Sequence, residues 1–491
     1  SYAGGSHGGM GGNGASAVYD SYLNPSKPGS GGYGNQSKGG GVVRIDLGTT
    51  GQAVIDGRIL ANGANSTCCG YGGAAGGSVF LSAATLAGAG RIEAKGGHGS
   101  DWGGGGGGRI AVVNLDPNGL SGGFAGAGLY NALDARGGAS TKANAYGGAG
   151  TVFVKTQAQQ WGDLIVDNFG LNGRTPLYSV PGGAVNGLSA NTLSDFSHTL
   201  DPEGFVGALL KPNVAENETR TLTDDTYFKV LANNSTTFTL DGDPTTVASL
   251  NDTYRGLFIF DNLEVRNSAQ VSSVADVLVL GGDRSSGDAT SFRISGSVDA
   301  PYLELQGVER ITVTGAFGSV EGANIWSPVR HFEVLDATGH LETIEATEDV
   351  RINSSSLSVR SLSATGPASI VGGTVTAQRL AARELRVESN GVLTQFTGDT
   401  AGLTIETVER VHVTAGSRID VSERGHLGLR PGLKGSLGTY GGAPHGGLGA
   451  RSGAETYDSY LEPHELGSGG HGNNARGGGL DDGDGRAFVV A

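Results

Sequence analysis

Four times in its first 155 residues the chain passes through glycines and then enters a short apolar strand. The four passages are GGGVVRIDL (39–47), GGSVFLSA (76–83), GGGGGGRIAVV (103–113) and GGAGTVFVK (147–155). A second phrase, G-R-I-x-A-x-G, lies between them as GRILANG (57–63) and GRIEAKG (90–96), 33 residues apart. Val43, Ile45 and Leu47 alternate with Arg44 and Asp46, the period-2 pattern of a half-buried strand. A strand–turn–strand phrase recurring every roughly 30–40 residues predicts coils that stack on one another.

The glycine runs need a place in such a stack. Glycine weakens a strand unless another backbone must approach closely. Segments without side chains can pack backbone to backbone as extended, polyproline-II-like strands. The runs at 3–14, 29–41, 70–77, 103–108 and 122–128 are therefore predicted to pack against one another. As free loops, so many runs would each carry an ordering cost with nothing to offset it. No Gly-X-Y period exists, which excludes collagen. Of the 90 glycines, 62 lie in 1–150 and 432–491.

Residues 156–260 carry Pro176, Pro181, Pro202, Pro212 and Pro244 and a TLTDDTYFKVLANNSTTFTL segment that reads as antiparallel hairpins. From FIFDNLEVRN (258–267) a second strand series begins. Apolar pairs at i, i+2 follow, among them Val277/Val279, Phe332/Val334, Val350/Ile352, Leu357/Val359, Leu385/Val387 and Val411/Val413. Charged pairs introduce many of them, as in VERITV, TEDVRI, ARELRV and VERVHV. Their spacing looks irregular, mostly about 10–28 residues, and no 3.6-residue helical period persists. The predicted fold is all-β: an elongated, right-handed parallel β-helix, or solenoid, with packed glycine-rich loops. Its parts are a glycine-rich β-solenoid (1–155), a hairpin-bearing connecting segment (156–260), a parallel β-helix (261–431) and a second glycine-rich passage (432–491). An array of β-sandwich domains is the alternative. It would show tight hairpin turns, for which Asn172-Gly173, Asn186-Gly187 and Asn390-Gly391 are the candidates.

The last part copies the first. Residues 1–41 align on 439–479 at a constant offset of 438, with 21 identities in 41 positions and no gap. Tyr2, His7, Tyr19, Asp20 and Tyr22 match Tyr440, His445, Tyr457, Asp458 and Tyr460. A recurrence of this kind points to architecture, since repeats stack or polymerise. These ten residues are candidates for an interface that each copy presents to a neighbour, with tyrosines supplying rigid contact area. The local alternative has the tyrosine rings covering glycine loops and the histidines bonding backbone.

The combination of SHGG, Tyr-Asp-Ser-Tyr-Leu-x-Pro, GSGG, GGGVVRIDL, GRIxAxG and GGGGGGRIAV resembles glycine-rich tandem-repeat regions of very large bacterial cell-surface, adhesin-like proteins. The likeness covers about 1–155 and 432–479. It implies parallel β-helices built from long tandem units, with no enzymatic activity and no defined ligand. Asp20 and the adjacent cysteines depart from that style.

Charge and motifs narrow the function. The net charge of −15 repels nucleic acid and anionic headgroups. No apolar stretch approaches the roughly 18 residues of a membrane span. The chain starts at Ser1 and shows no signal peptide, which points to a processed piece of a larger product. Cys68 and Cys69 are adjacent: a strained vicinal disulfide is one state, free or intermolecular thiols the other. Without further cysteines there is no zinc site of the usual kind. Asp481, Asp482 and Asp484 in DDGDGR, and DGD at 241–243, are candidate calcium ligands. The EF-hand glutamate and the GGxGxD nonapeptide are both absent, so a solvated acidic turn is the plainer reading. GGGGGG before Arg109 lacks the G-K-[ST] ending of a phosphate loop. Catalysis would need focused carboxylates. Glu345, Glu348, Asp349 and Arg351 are the cluster that adjacent coils could assemble. Trp102, Trp161 and Trp326 are too scattered for a sugar platform. The sequence therefore predicts a non-enzymatic, secreted structural protein of a bacterial surface. It would be a repeating unit of a fibre, adhesin or sheath, meeting copies of itself, adjacent repeats or surface glycans. A carbohydrate-binding or polysaccharide-degrading protein is the second reading.

Overall fold

The computed structural model describes residues 3–14, 17–34, 37–66, 71–100, 102–214, 226–280, 291–294, 297–305, 310–324, 329–397, 399, 401–425, 466 and 488–490. The protein is nearly all β, with almost no helix. It forms two compact units, one of residues 1–309 with 315–327, the other of 310–314 with 328–491.

In the first unit the glycine-to-strand phrases become parallel ladders. Strands β1 (Val42–Asp46), β2 (Gln52–Val54) and β3 (Arg58–Leu60) are followed by β4 (Ser78–Ser82), β5 (Thr85–Ala87) and β6 (Arg91–Glu93). Then come β7 (Arg109–Leu115), β8 (Leu133–Asp134), β9 (Thr151–Thr156) and β10 (Asp163–Asp167). β1, β4, β7 and β9 form one parallel ladder, β2 and β5 a second, and β3, β6 and β8 a third. The two G-R-I phrases pair in register, Arg58 with Arg91 and Ile59 with Ile92. One core cluster takes residues from all three ladders: Val79 and Leu81, Leu86, and Ile92 with Leu133. Val43 and Ile45 pack against it, but Leu47 lies beyond β1 and is exposed.

The glycine runs pack as ordered segments. Within 103–108, Gly104 and Gly107 donate to Ala145 and Gly148, Gly105 and Gly108 to Gly97 and Ala94, and Gly106 to Gly5. Gly103 and Gly106 accept from Gly73 and Gly76, and Gly105 accepts from Gly138. Residues three apart thus address the same neighbour. That is the signature of a threefold extended helix, which makes no internal hydrogen bonds and offers every N–H and C=O outward. The approach is too close for side chains: a Cβ on Gly105 would lie 1.9 Å from the Ala74 carbonyl oxygen. The 122–128 run departs from the prediction. It forms two 3₁₀ turns leading into the short helix Leu129–Ala132. Phe124, Leu129 and Ala132 anchor it in the core.

After β9 the chain reverses, β10 pairing antiparallel with β9 and parallel with Asn262–Arg266. Between lie antiparallel strands, including the hairpin of Phe228–Asn233 with Thr237–Leu240. They enclose their own core around Leu193, Leu210, Phe238 and Tyr254.

The second unit holds a continuous β-paired stretch, Val329–Glu388. At about 3.3 Å per residue it is far too long for one straight strand. It bends where φ turns positive, at Asp336, Ser354 and Gly372, with Asn390 next in the series. These positions are 18 residues apart, and so are the partners Arg330 and Glu348, His331 and Asp349, and Ala337 and Ser355. Buried residues follow the same step: Val334, Ile352 and Ile370; Ile344, Leu362 and Leu380; Ala346, Ala364 and Ala382. The irregular spacing expected for this stretch is therefore regular. None of the three Asn-Gly pairs is a hairpin turn. Asn390-Gly391 is a bend before a parallel strand, with Val392 paired to Thr374.

Candidate functional site

The recurring passage forms a buried polar knot on the glycine packing. His7 and Asp20 are 0% and 4% exposed, so in this copy their side chains meet only their own chain. Asp20 sits in a turn with φ of 72°, which brings several donors onto its carboxylate. Its Oδ2 accepts from the Ser26 and Lys27 amides at 2.9 and 3.0 Å and from Ser78 Oγ at 3.1 Å. Oδ1 accepts from the Ser21 amide. Burial would raise the carboxyl, but the bonds from His7 and from the Lys27 and Ser26 amides, with the Arg109 charge, outweigh it and hold it at about 2.

Both His7 nitrogens face acceptors, Nδ1 the Gly76 carbonyl at 2.8 Å and Nε2 the Asp20 Oδ2 at 3.3 Å. Burial lowers its pKa more than Asp20 raises it, and Arg109 lowers it further. A neutral ring can donate to only one of these two acceptors, and the tautomer decides which. Arg109 closes the six-glycine string and is 1% exposed. It donates through Nε and Nη2 to the Tyr19 carbonyl at 3.0 and 2.9 Å, and through Nη1 to Thr151 Oγ1 at 3.0 Å. Burial pulls it down to about 10, so it stays charged at neutral pH. Tyr19 donates to the Pro28 carbonyl, and the Tyr22 ring rests on Phe153, Phe258 and Phe260. The knot ties 17–30 to the glycine segments and to β7. Its chemistry is positional: His7, Asp20 and Arg109 are engaged with backbone groups, hydroxyls and one another.

Beside it β1, β2 and β3 have an open edge. Among the described residues β1, β2 and β3 each pair on one side only, with β4, β5 and β6. Val54 and Leu60 are 69% and 50% exposed, with Val42 and Leu47 also exposed. Ile45, Ile55 and Ile59 cover the core from above and are themselves only partly covered. Unpaired strand edges of this kind are templates for further strands.

In the second unit, Glu348, Asp349 and Arg351 line one groove with Arg383 and Arg386, while Glu345 does not join them. Arg330 donates to Glu348 at 2.5 and 2.8 Å, and His331 meets Asp349 at 2.5 Å and Glu348 at 3.4 Å. His331, Glu348 and Asp349 place ligand atoms within 4.8 Å of one another, the one such group among the described residues. Each carboxylate already faces a base. Nearby, Arg386 and then Arg410 bond Glu384 and hold its carboxyl at about 2. This is a surface of alternating ion pairs.

Tyr2, Tyr440, His445, Tyr457, Asp458 and Tyr460 lie outside the described residues, as do Asp481, Asp482, Asp484, Cys68 and Cys69. Asp241 and Asp243 use their carboxylates locally, on the Lys229 amide and on the Thr245 amide and hydroxyl. Sequence reading missed Arg109 as a buried group, because an arginine that opens a strand reads as surface. The available signal was its place directly after six glycines, whose close packing encloses the residue that follows.

Comparison of the chain with protein-family models, with curated proteins and with solved structures finds no match to any of them.

Proposed function

We propose that this chain is a structural segment of a bacterial extracellular fibre, adhesin or sheath, built of right-handed parallel β-helical coils and joined end to end with copies of itself or with adjacent repeats. The open edge of β1, β2 and β3 carries the reading. β4, β5 and β6 already dock on that coil in parallel register, burying Val79 and Leu81 beside Val43 and Ile45. A further coil would add on the opposite side by the same geometry. The repeat of 1–41 at 439–479 supplies a second passage of the kind that precedes β1. Head-to-tail contacts between unlike surfaces make open filaments when their rotation does not close. Secretion belongs to this proposal, as does calcium at Asp481, Asp482 and Asp484.

The test is sedimentation of the full chain against Val54→Lys and Leu60→Lys, whose exposed side chains leave the coil free to fold. The reading expects concentration-dependent association in the parent and its loss in both variants. A monodisperse parent would sink self-association, and equal assembly in parent and variants would sink the edge as its joint.

A further inference from the structure

A cavity of about 550 Å³ opens in the first unit between the recurring passage and the antiparallel insert. This is the size of a small-molecule site. Its walls come from Ser21–Asn24, Lys155 of β9, the turn before β10, residues 178–180 and 204–209, and the strands Phe228–Asn233 and Thr253–Phe260. Five aromatic residues, Tyr22, Trp161, Tyr178, Phe205 and Phe258, line it. The rings pack on one another and on their neighbours: Tyr22 on Phe258 and Phe260, Trp161 against Tyr227, and Tyr178 stacked on Phe205 at 5.1 Å. The platform is therefore rigid before anything binds.

Two polar features have no structural employment. Ser179 is a lining residue, and its Oγ is buried with no hydrogen-bond partner. A buried hydroxyl left unpaired costs free energy that a ligand atom would recover. The Tyr22 hydroxyl bonds no protein group among the described residues, and burial drives its pKa far up, so it stays a donor. The charge at the wall is the third observation. In a chain of net charge −15, the lining holds two lysines, Lys155 and Lys229, and no aspartate or glutamate. Lys155 donates to the Gln160 carbonyl, which orients its ammonium, and Lys229 has no ion-pair partner among the described residues.

We infer that this cavity is a binding site for an acidic saccharide, one sugar ring lying on the aromatic floor with its carboxylate toward Lys155 and Lys229. A sugar presents an apolar C–H face to an aromatic ring and hydroxyls at its rim, which suits Tyr22, Trp161 and Ser179 together. A fatty acid shares the carboxylate and the apolar body, but it would leave the Ser179 and Tyr22 hydroxyls unmet. The site goes beyond the structural reading and does not depend on assembly.

The probes are a glucuronate-containing oligosaccharide, its neutral glucose counterpart and laurate, titrated into the full chain by calorimetry. We expect the acidic oligosaccharide to bind at least ten-fold more tightly than the neutral one. Lys229→Ala, at an exposed position that tolerates truncation, should remove most of that margin, and Ser179→Ala should weaken both sugars. Equal affinity for the two sugars, an unchanged margin in Lys229→Ala, tighter binding of laurate, or no binding of any probe would each overturn the inference.

Discussion

Two regions of the described chain pack their segments by different means. Around 103–108, adjacent segments touch through backbone, with successive glycines bonded to different neighbouring segments and those three apart to the same one. In Val329–Glu388 the segments are β-paired and also bury side chains at an 18-residue step, as at Val334, Ile352 and Ile370. The first mode tolerates no added atom; the second tolerates graded change in volume. The first packs extended segments on several neighbours at once, and the second repeats one 18-residue step. Charges divide the same way. His7, Asp20 and Arg109 are buried in the glycine region, whereas Arg330, Glu348 and Asp349 are substantially exposed.

This comparison is sharpest at Gly105. Gly105→Ala sets a Cβ 1.9 Å from the Ala74 oxygen, a contact with backbone that cannot rotate away. Chemical denaturation should show a loss of about 3 kcal/mol or more in the first unit. Gly41→Ala, with nothing within 4 Å, should stay within about 0.5 kcal/mol. Equal, small effects would mean the glycine packing is not close. In the 18-residue stack, Ile352→Ala should cost about 2–5 kcal/mol through transfer and cavity terms. A neutral result would break the column.

Acid should separate the regions next. Asp20 has a depressed pKa, so its contribution is complete above the ordinary carboxylate range and is lost as pH falls from about 4 to 2. It amounts to about 2 kcal/mol. His7, also depressed, removes stability in the same direction, starting below the ordinary histidine range. Thermal melts of Asp20→Asn should therefore lie below the parent at pH 7 and converge toward it near pH 2. Parallel curves would contradict the buried knot. The smallest effect belongs to the exposed pair: Arg330→Ala should cost less than about 1 kcal/mol, and less again in high salt.

Much of the glycine region was legible in the sequence. The G-R-I phrases predicted stacking, and Arg58 does pair with Arg91. Ordered packing followed from asking where so many unpaired backbone groups would go. The 122–128 run misled, because Phe124 and Leu129 within and beside it seek the core and bend the chain into helical turns. The 18-residue step stayed hidden because its columns mix volumes: Phe332, Val350 and Ala368 share one, and Ala337, Ser355 and Gly373 follow another. An apolar i, i+2 pair is visible wherever both members are large and vanishes where one is alanine or glycine. The buried knot was half legible. Its members recur at both ends, but recurrence alone does not say whether a histidine faces a neighbour or its own backbone. The cavity was not legible, since its walls come from stretches far apart in sequence and its lysines look like ordinary surface charge.

The most direct measurement is electron microscopy of the full chain beside Val54→Lys. The account predicts filaments with a regular axial repeat in the parent and isolated particles in the variant. Isolated particles in both, at every concentration, or filaments in both would contradict joining through the open edge of β1, β2 and β3.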